Sequence, residues 1–132
     1  MKDHSHHSKE FSLWIIEVNE ADFTERVVQH SWQHPILVDF WADWCGPCRA
    51  FTPLLERVIR SYEGAIILAK VEADENMRLA GHYRLRGFPT CLLFRNGEVV
   101  GHFSGMRPDH FLHEFIATHA NLPYRSHYPH FH

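Results

Sequence analysis

The sequence predicts an α/β fold with a central mixed sheet. Short β-branched and aromatic runs alternate along the chain with segments of helical periodicity. Two of the runs are apolar almost throughout, as in parallel strands buried on both faces. An Asn-Gly pair joins the last two strands as a hairpin, which must be antiparallel.

The elements follow in order. Residues 13–18, LWIIEV, read as the first strand, and Asn19 then caps a helix through 19–31, with Asp22 three residues on and Phe23 and Val27 spaced i, i+4. Pro35 ends a turn ahead of the buried strand ILVDFWA at 36–42. Residues 48–64 repeat with helical spacing through Leu54, Leu55, Val58 and Ile59, with Pro53 as a kink and Gly64 as the cap. AIILAKVEA at 65–73 is a second buried strand, and ENMRLAGHY a short helix. TCLLF at 90–94, the RNG turn and EVVGHF at 98–103 form the hairpin. Pro108 opens a last helix with a stripe of Phe111, Leu112, Phe115 and Ile116. The order is β-α-β-α-β-α-β-β-α.

At 132 residues, 45% of them hydrophobic, the chain is long enough to bury one real core. A formal charge of −3 provides no basic footprint for nucleic acid. No apolar run reaches the roughly 18 residues of a membrane span, and residues 1–10 lack the apolar stretch of a secretory signal. The expectation is a cytoplasmic protein without membrane or nucleic-acid partners. The domain plan is a polar tail at 1–10, a globular unit at 11–120 and a second tail at 121–132.

Cys45 and Cys48 stand in WADWCGPCRA, a spacing that suits half a zinc site, a staple or redox chemistry. A reducing cytosol and a very short loop disfavour a lasting staple. Zinc needs a second ligand pair, and the only other cysteine, Cys91, stands alone in a strand. The pair sits between a buried strand and the start of a helix, where unpaired N–H groups and the helix dipole favour a thiolate. Cys48 falls one turn later on the same face, which suits an attacking thiolate at Cys45 and a resolving thiol at Cys48. Asp39 interrupts an apolar strand, and Lys70 lies in the strand expected beside it. A carboxyl buried there is an acid/base that takes the proton from Cys48, one half of a structural ion pair, or a group opening to a water-filled pocket.

VDFWADWCGPCRAFTP, AKVEAD, RGFPTCLLFRNGE and SGMRPDHFLHEFI stand in the order and spacing of the thioredoxin family, and the chain resembles that family over about residues 12–120. The resemblance implies the thioredoxin fold and reduction of protein disulfides by a monomer. It implies no cofactor beyond the Cys45–Cys48 disulfide, and thioredoxin reductase as electron donor. It assigns Cys45 to attack and Cys48 to resolution, with Asp39 as buried acid and Lys70 as its partner. Trp41, Trp44, Gly46, Pro47, Gly87, Phe88, Pro89 and Gly105 become the substrate groove, Pro89 in the cis form. Gly46-Pro47 matches the reducing members; the more oxidising relatives commonly place a histidine between the cysteines.

Some residues depart from the family. Cys91 occupies a place where an apolar residue is usual, and reads as a small buried hydrophobe, with a regulatory or third redox thiol as the alternative. His4, His6, His7, His127, His130 and His132 populate the tails, and His110, His113 and Glu114 share the outward face of the last helix. Solvated polar segments are the plainer reading. A binding module whose tails capture metal through neutral imidazoles is the alternative function.

Overall fold

The computed structural model describes residues 13–123, so the tail histidines at 4, 6, 7, 127, 130 and 132 lie outside the described residues. Five strands form one sheet in the order β1-β3-β2-β4-β5, with β1 at Ile15–Glu17, β2 at Ile36–Trp41, β3 at Ile67–Glu72, β4 at Thr90–Arg95 and β5 at Glu98–Ser104. β1, β3 and β2 run parallel, while β4 is antiparallel to β2 and β5 to β4. Asn96 and Gly97 both take positive φ, 54° and 82°, the turn geometry the hairpin requires.

Side chains alternate across the sheet and divide the core in two. Leu37, Leu68, Cys91 and Leu93 pack on one face with Phe51, Leu55 and Ile59 of helix α1 (Gly46–Arg60) and Leu112 and Ile116 of helix α3 (Asp109–His119). Ile36, Val38, Phe40 and Leu92 pack on the other with Phe23 and Val27, and with Leu79 of helix α2 (Met77–His82). The same alternation puts Asp39 on the α1 side of β2, between Leu37 and Trp41 in phase. This position underlies the site.

Three local expectations change. The first helical segment is a 3-10 turn at Glu20–Asp22, a π-helical stretch at Thr24–Gln29 and another 3-10 turn at His30–Trp32. Asp22 Oδ1 still accepts from the Asn19 N–H at 2.9 Å, but β-branched Thr24, Val27 and Val28 are poor support for a regular α-helix. Helix α1 ends at Arg60 with Ser61 as its C-cap, and Gly64 lies beyond it with φ +93°, where a Cβ would come 2.9 Å from the Trp14 Nε1. Pro108 caps α3 with extended backbone instead of opening its first turn.

Candidate active site

The loop after β2 delivers Cys45 as the N-cap residue of α1, with φ −90° and ψ 105°. Its backbone N–H donates to the Ala42 carbonyl at 3.0 Å, which closes the turn from strand to helix. The Cys48 N–H donates to Cys45 Sγ at 3.2 Å, so the sulfur takes the place that a serine or aspartate oxygen fills in an ordinary N-cap. An anion is favoured there by the unpaired N–H groups and the dipole of a 15-residue helix. Pro47 fits in the first turn because no intrahelical bond is lost to it. Cys45 and Cys48 are disulfide-bonded, with their Cα atoms 5.3 Å apart. At 4% and 2% exposure, both are nearly covered, so the helix terminus distinguishes the two sulfurs more than access does.

A second loop faces this pair. The Phe88–Pro89 peptide is cis, and Cys45 Sγ lies 3.4 Å from the Phe88 carbonyl oxygen. The Pro89 carbonyl accepts from the Gly105 N–H at 2.8 Å, with Gly105 at φ +84°, a backbone region that a side chain would strain. The Thr90 hydroxyl donates to the Gly87 carbonyl at 2.6 Å and fixes the loop from below. Trp44 remains 68% exposed beside the disulfide. Its Nε1–H donates to Asp74 Oδ2 at 2.9 Å, and its ring meets Phe88 edge to face at 6.0 Å. Trp41 packs against the cysteines from the strand end. A Cβ at Gly46 or Gly87 would meet no atom within 4 Å, so both face open space.

In β2, the strand that leads to the pair, Asp39 is 2% exposed. Lys70 is its register partner on β3, but the Lys70 ammonium makes its salt bridge with Glu56 Oε2 on α1, at 3.0 Å. The ion-pair reading of Asp39 and Lys70 is therefore corrected: among the described residues no salt bridge joins them, and Lys70 acts on Asp39 through its field. Burial pushes the Asp39 carboxyl up to about 7; the Lys70 charge and the Cys91 thiol oppose that rise, and the Glu56 carboxylate adds to it. Cys91 is the antiparallel register partner of Asp39, with Sγ 3.9 Å from Oδ1. Burial, reinforced by that carboxyl, holds the Cys91 thiol well above its ordinary range, so it stays protonated. A cleft of about 270 Å³ lined by Trp41, Cys48 and Lys70 opens on the Cys48 side of the pair.

Glu56 and the contact between Cys91 and Asp39 were not expected from the sequence. Glu56 sits eight residues after Cys48, and nothing in a helical repeat points it at a lysine from another strand. The outward face assigned to His113 is also corrected. His113 is 1% exposed, with Nδ1 2.9 Å from the Tyr62 hydroxyl, while His110 and Glu114 are exposed. Among the described residues no group of three or more His, Cys, Asp or Glu could hold a metal ion. No helix among them is long and apolar enough to cross a membrane.

Comparison with known proteins gives a match to the thioredoxin family over residues 14–118. The chain is 40% identical over 116 residues to a probable thioredoxin-2 from Caenorhabditis elegans, covering 88% of this chain and 76% of that one. It is 39% identical over 105 residues to a thioredoxin from Haemophilus influenzae, covering 80% and 96% respectively.

Proposed function

Since this chain belongs to the thioredoxin family and is a thiol-disulfide oxidoreductase, we propose that it reduces protein disulfides with Cys45 as nucleophile and Cys48 as resolving thiol. The observation that carries the division of roles is the N-cap position of Cys45, with the Cys48 N–H on its sulfur at 3.2 Å.

The Cys45 thiolate attacks one sulfur of the substrate disulfide and forms a mixed disulfide, and the other substrate sulfur leaves as a thiolate that takes a proton from water. Cys48, which lines a cleft together with Lys70, then gives its proton to the Asp39 carboxylate. Its thiolate attacks Cys45 Sγ, and the second substrate thiolate leaves. Two electrons have passed to the substrate, and the protein holds the Cys45–Cys48 disulfide. Burial brings the Asp39 carboxyl near neutrality, and the Lys70–Glu56 pair trims that rise from one side and adds to it from the other. Trp41, Trp44, Gly46, Pro47, Gly87, Phe88, Pro89 and Gly105 form the groove for an extended substrate segment, with the Phe88 backbone offering it hydrogen bonds. Thioredoxin reductase would return the electrons, and a monomer in a reducing cytoplasmic environment suffices for the cycle.

The direction of transfer is testable by equilibrating the Cys45–Cys48 couple with glutathione. Thioredoxin supplies the benchmark of about −270 mV, and a value close to it is expected here from the family match, not from the geometry. A value near about −120 mV would make the protein an oxidant and overturn the proposed direction.

A further inference from the structure

Between residues 83–86 and strands β4 and β5 lies a pocket of about 420 Å³, lined by neither cysteine of the pair. Arg84, Arg86, His102 and Ser104 line its polar wall, and Leu85 and Leu92 contribute an apolar floor. No carboxylate lines it, although the chain as a whole carries a formal charge of −3. Arg84 and Arg86 are both exposed, and neither makes a salt bridge within 4.0 Å among the described residues. Arg84 also takes φ +58°, a left-handed conformation that is uncommon for a residue with a long side chain.

Two of its lining residues tie the pocket to the cis-proline loop. Thr90, one of its lining residues, holds the Gly87 carbonyl at 2.6 Å, and Ser104 immediately precedes Gly105, whose N–H binds Pro89. The opposite flank carries the other sign. Asp74 sits under Trp44 at the end of β3, and in the sheet order β3 and β4 lie on either side of β2. A segment lying across the disulfide would therefore pass from an acidic flank to a basic one.

We propose that the Arg84–Arg86 pocket is an accessory binding site for an acidic stretch of the substrate polypeptide, next to the disulfide being reduced. The inference rests on the disulfide-reductase reading and names its preferred substrate class. Guanidinium groups donate paired hydrogen bonds to carboxylates, and the hydroxyl and imidazole beside them offer further donors. The apolar floor accommodates the methylene groups of a glutamate side chain. A mismatched, basic segment would meet like charge at this flank, so the pocket selects by rejection as well as by attraction.

The test compares two disulfide-bonded peptides that differ only in a Glu-Glu or Gln-Gln pair flanking one cysteine. Exposed ion pairs contribute little each, so two of them predict a preference of about fivefold in kcat/KM for the Glu peptide at low salt. In about 0.5 M NaCl the preference should shrink toward unity, because the screening length falls to a few ångströms. Arg84→Gln/Arg86→Gln should remove it, and Arg84→Glu/Arg86→Glu should reverse it. Hydroxyethyl disulfide, small and uncharged, should be reduced equally by all three proteins. That control separates the two ideas: its loss in the wild type would indict the reductase reading, while its retention isolates the pocket. An equal Glu preference in wild type and Arg84→Gln/Arg86→Gln would overturn the proposal, as would no preference in the wild type. Competition by inorganic phosphate with none by a disulfide-free acidic peptide would identify a small-anion site instead, and would overturn it too.

Discussion

Cys45→Ser should lower the turnover of insulin disulfides by at least about a thousandfold, to the rate of the added reductant alone. A hydroxyl is a poor nucleophile toward sulfur and cannot enter thiol-disulfide exchange, so no other group replaces the lost step. The substitution is also mild for the fold. Serine is a favoured N-cap residue, and its Oγ can accept the Cys48 N–H that now binds Cys45 Sγ at 3.2 Å. Compared with the reduced wild type, the variant should therefore unfold at nearly the same temperature. Insulin turbidity and thermal unfolding, measured on the same preparation, separate the chemistry from folding. Turnover by Cys45→Ser at the wild-type rate would remove Cys45 from the reaction.

Asp39→Asn has two effects of opposite value. With its carboxyl raised to about 7 by burial, Asp39 holds its proton in the folded protein over a pH range where the unfolded chain has lost it. The folded state then binds more protons than the unfolded one, so wild-type stability falls as pH rises from about 4 to about 7 and levels off above. The full cost at alkaline pH is on the order of 4 kcal/mol. Asparagine carries no charge at any of these values, so Asp39→Asn should unfold at a higher temperature than wild type, by a margin that widens from pH 5 to pH 8. The catalytic effect runs the other way. Resolution of the mixed disulfide in the wild type should quicken as pH rises through about 7, when Asp39 becomes the carboxylate that accepts the Cys48 proton. The variant should resolve about a hundredfold more slowly and lose that inflection. Formation of the mixed disulfide, which belongs to Cys45, should change much less. Unaltered resolution with no accumulation of mixed disulfide would reduce Asp39 to a structural residue.

Much of this site was legible because it depends on neighbours in sequence. A near-continuous apolar run, two cysteines and a proline at a helix start determine where Cys45 sits and what its sulfur receives. The sheet pattern likewise placed Asp39 and Lys70 in adjacent strands. What escaped depends on groups far apart in the chain. Lys70 finds Glu56 because α1 crosses over β3, so the partner was visible only once the helix was docked. Cys91 reaches Asp39 across an antiparallel pair 52 residues away, where register decides which side chains meet. His113 belongs to a wider buried face than the four-residue apolar stripe suggested. Its polar ring is accommodated by the Tyr62 hydroxyl, 51 positions earlier. Helical periodicity assigns a face, but it cannot show a distant hydroxyl that makes a histidine tolerable inside.

The most direct test of the division of labour between the two cysteines is to react reduced Cys48→Ser with a disulfide substrate and map the adduct by mass spectrometry. Without a resolving thiol the mixed disulfide should persist, with the substrate joined to Cys45 through one S–S bond. Cys91 should remain unmodified, since it is 0% exposed and its thiol is held protonated. An adduct on Cys91, or undiminished turnover by Cys48→Ser with no adduct on Cys45, would contradict the account.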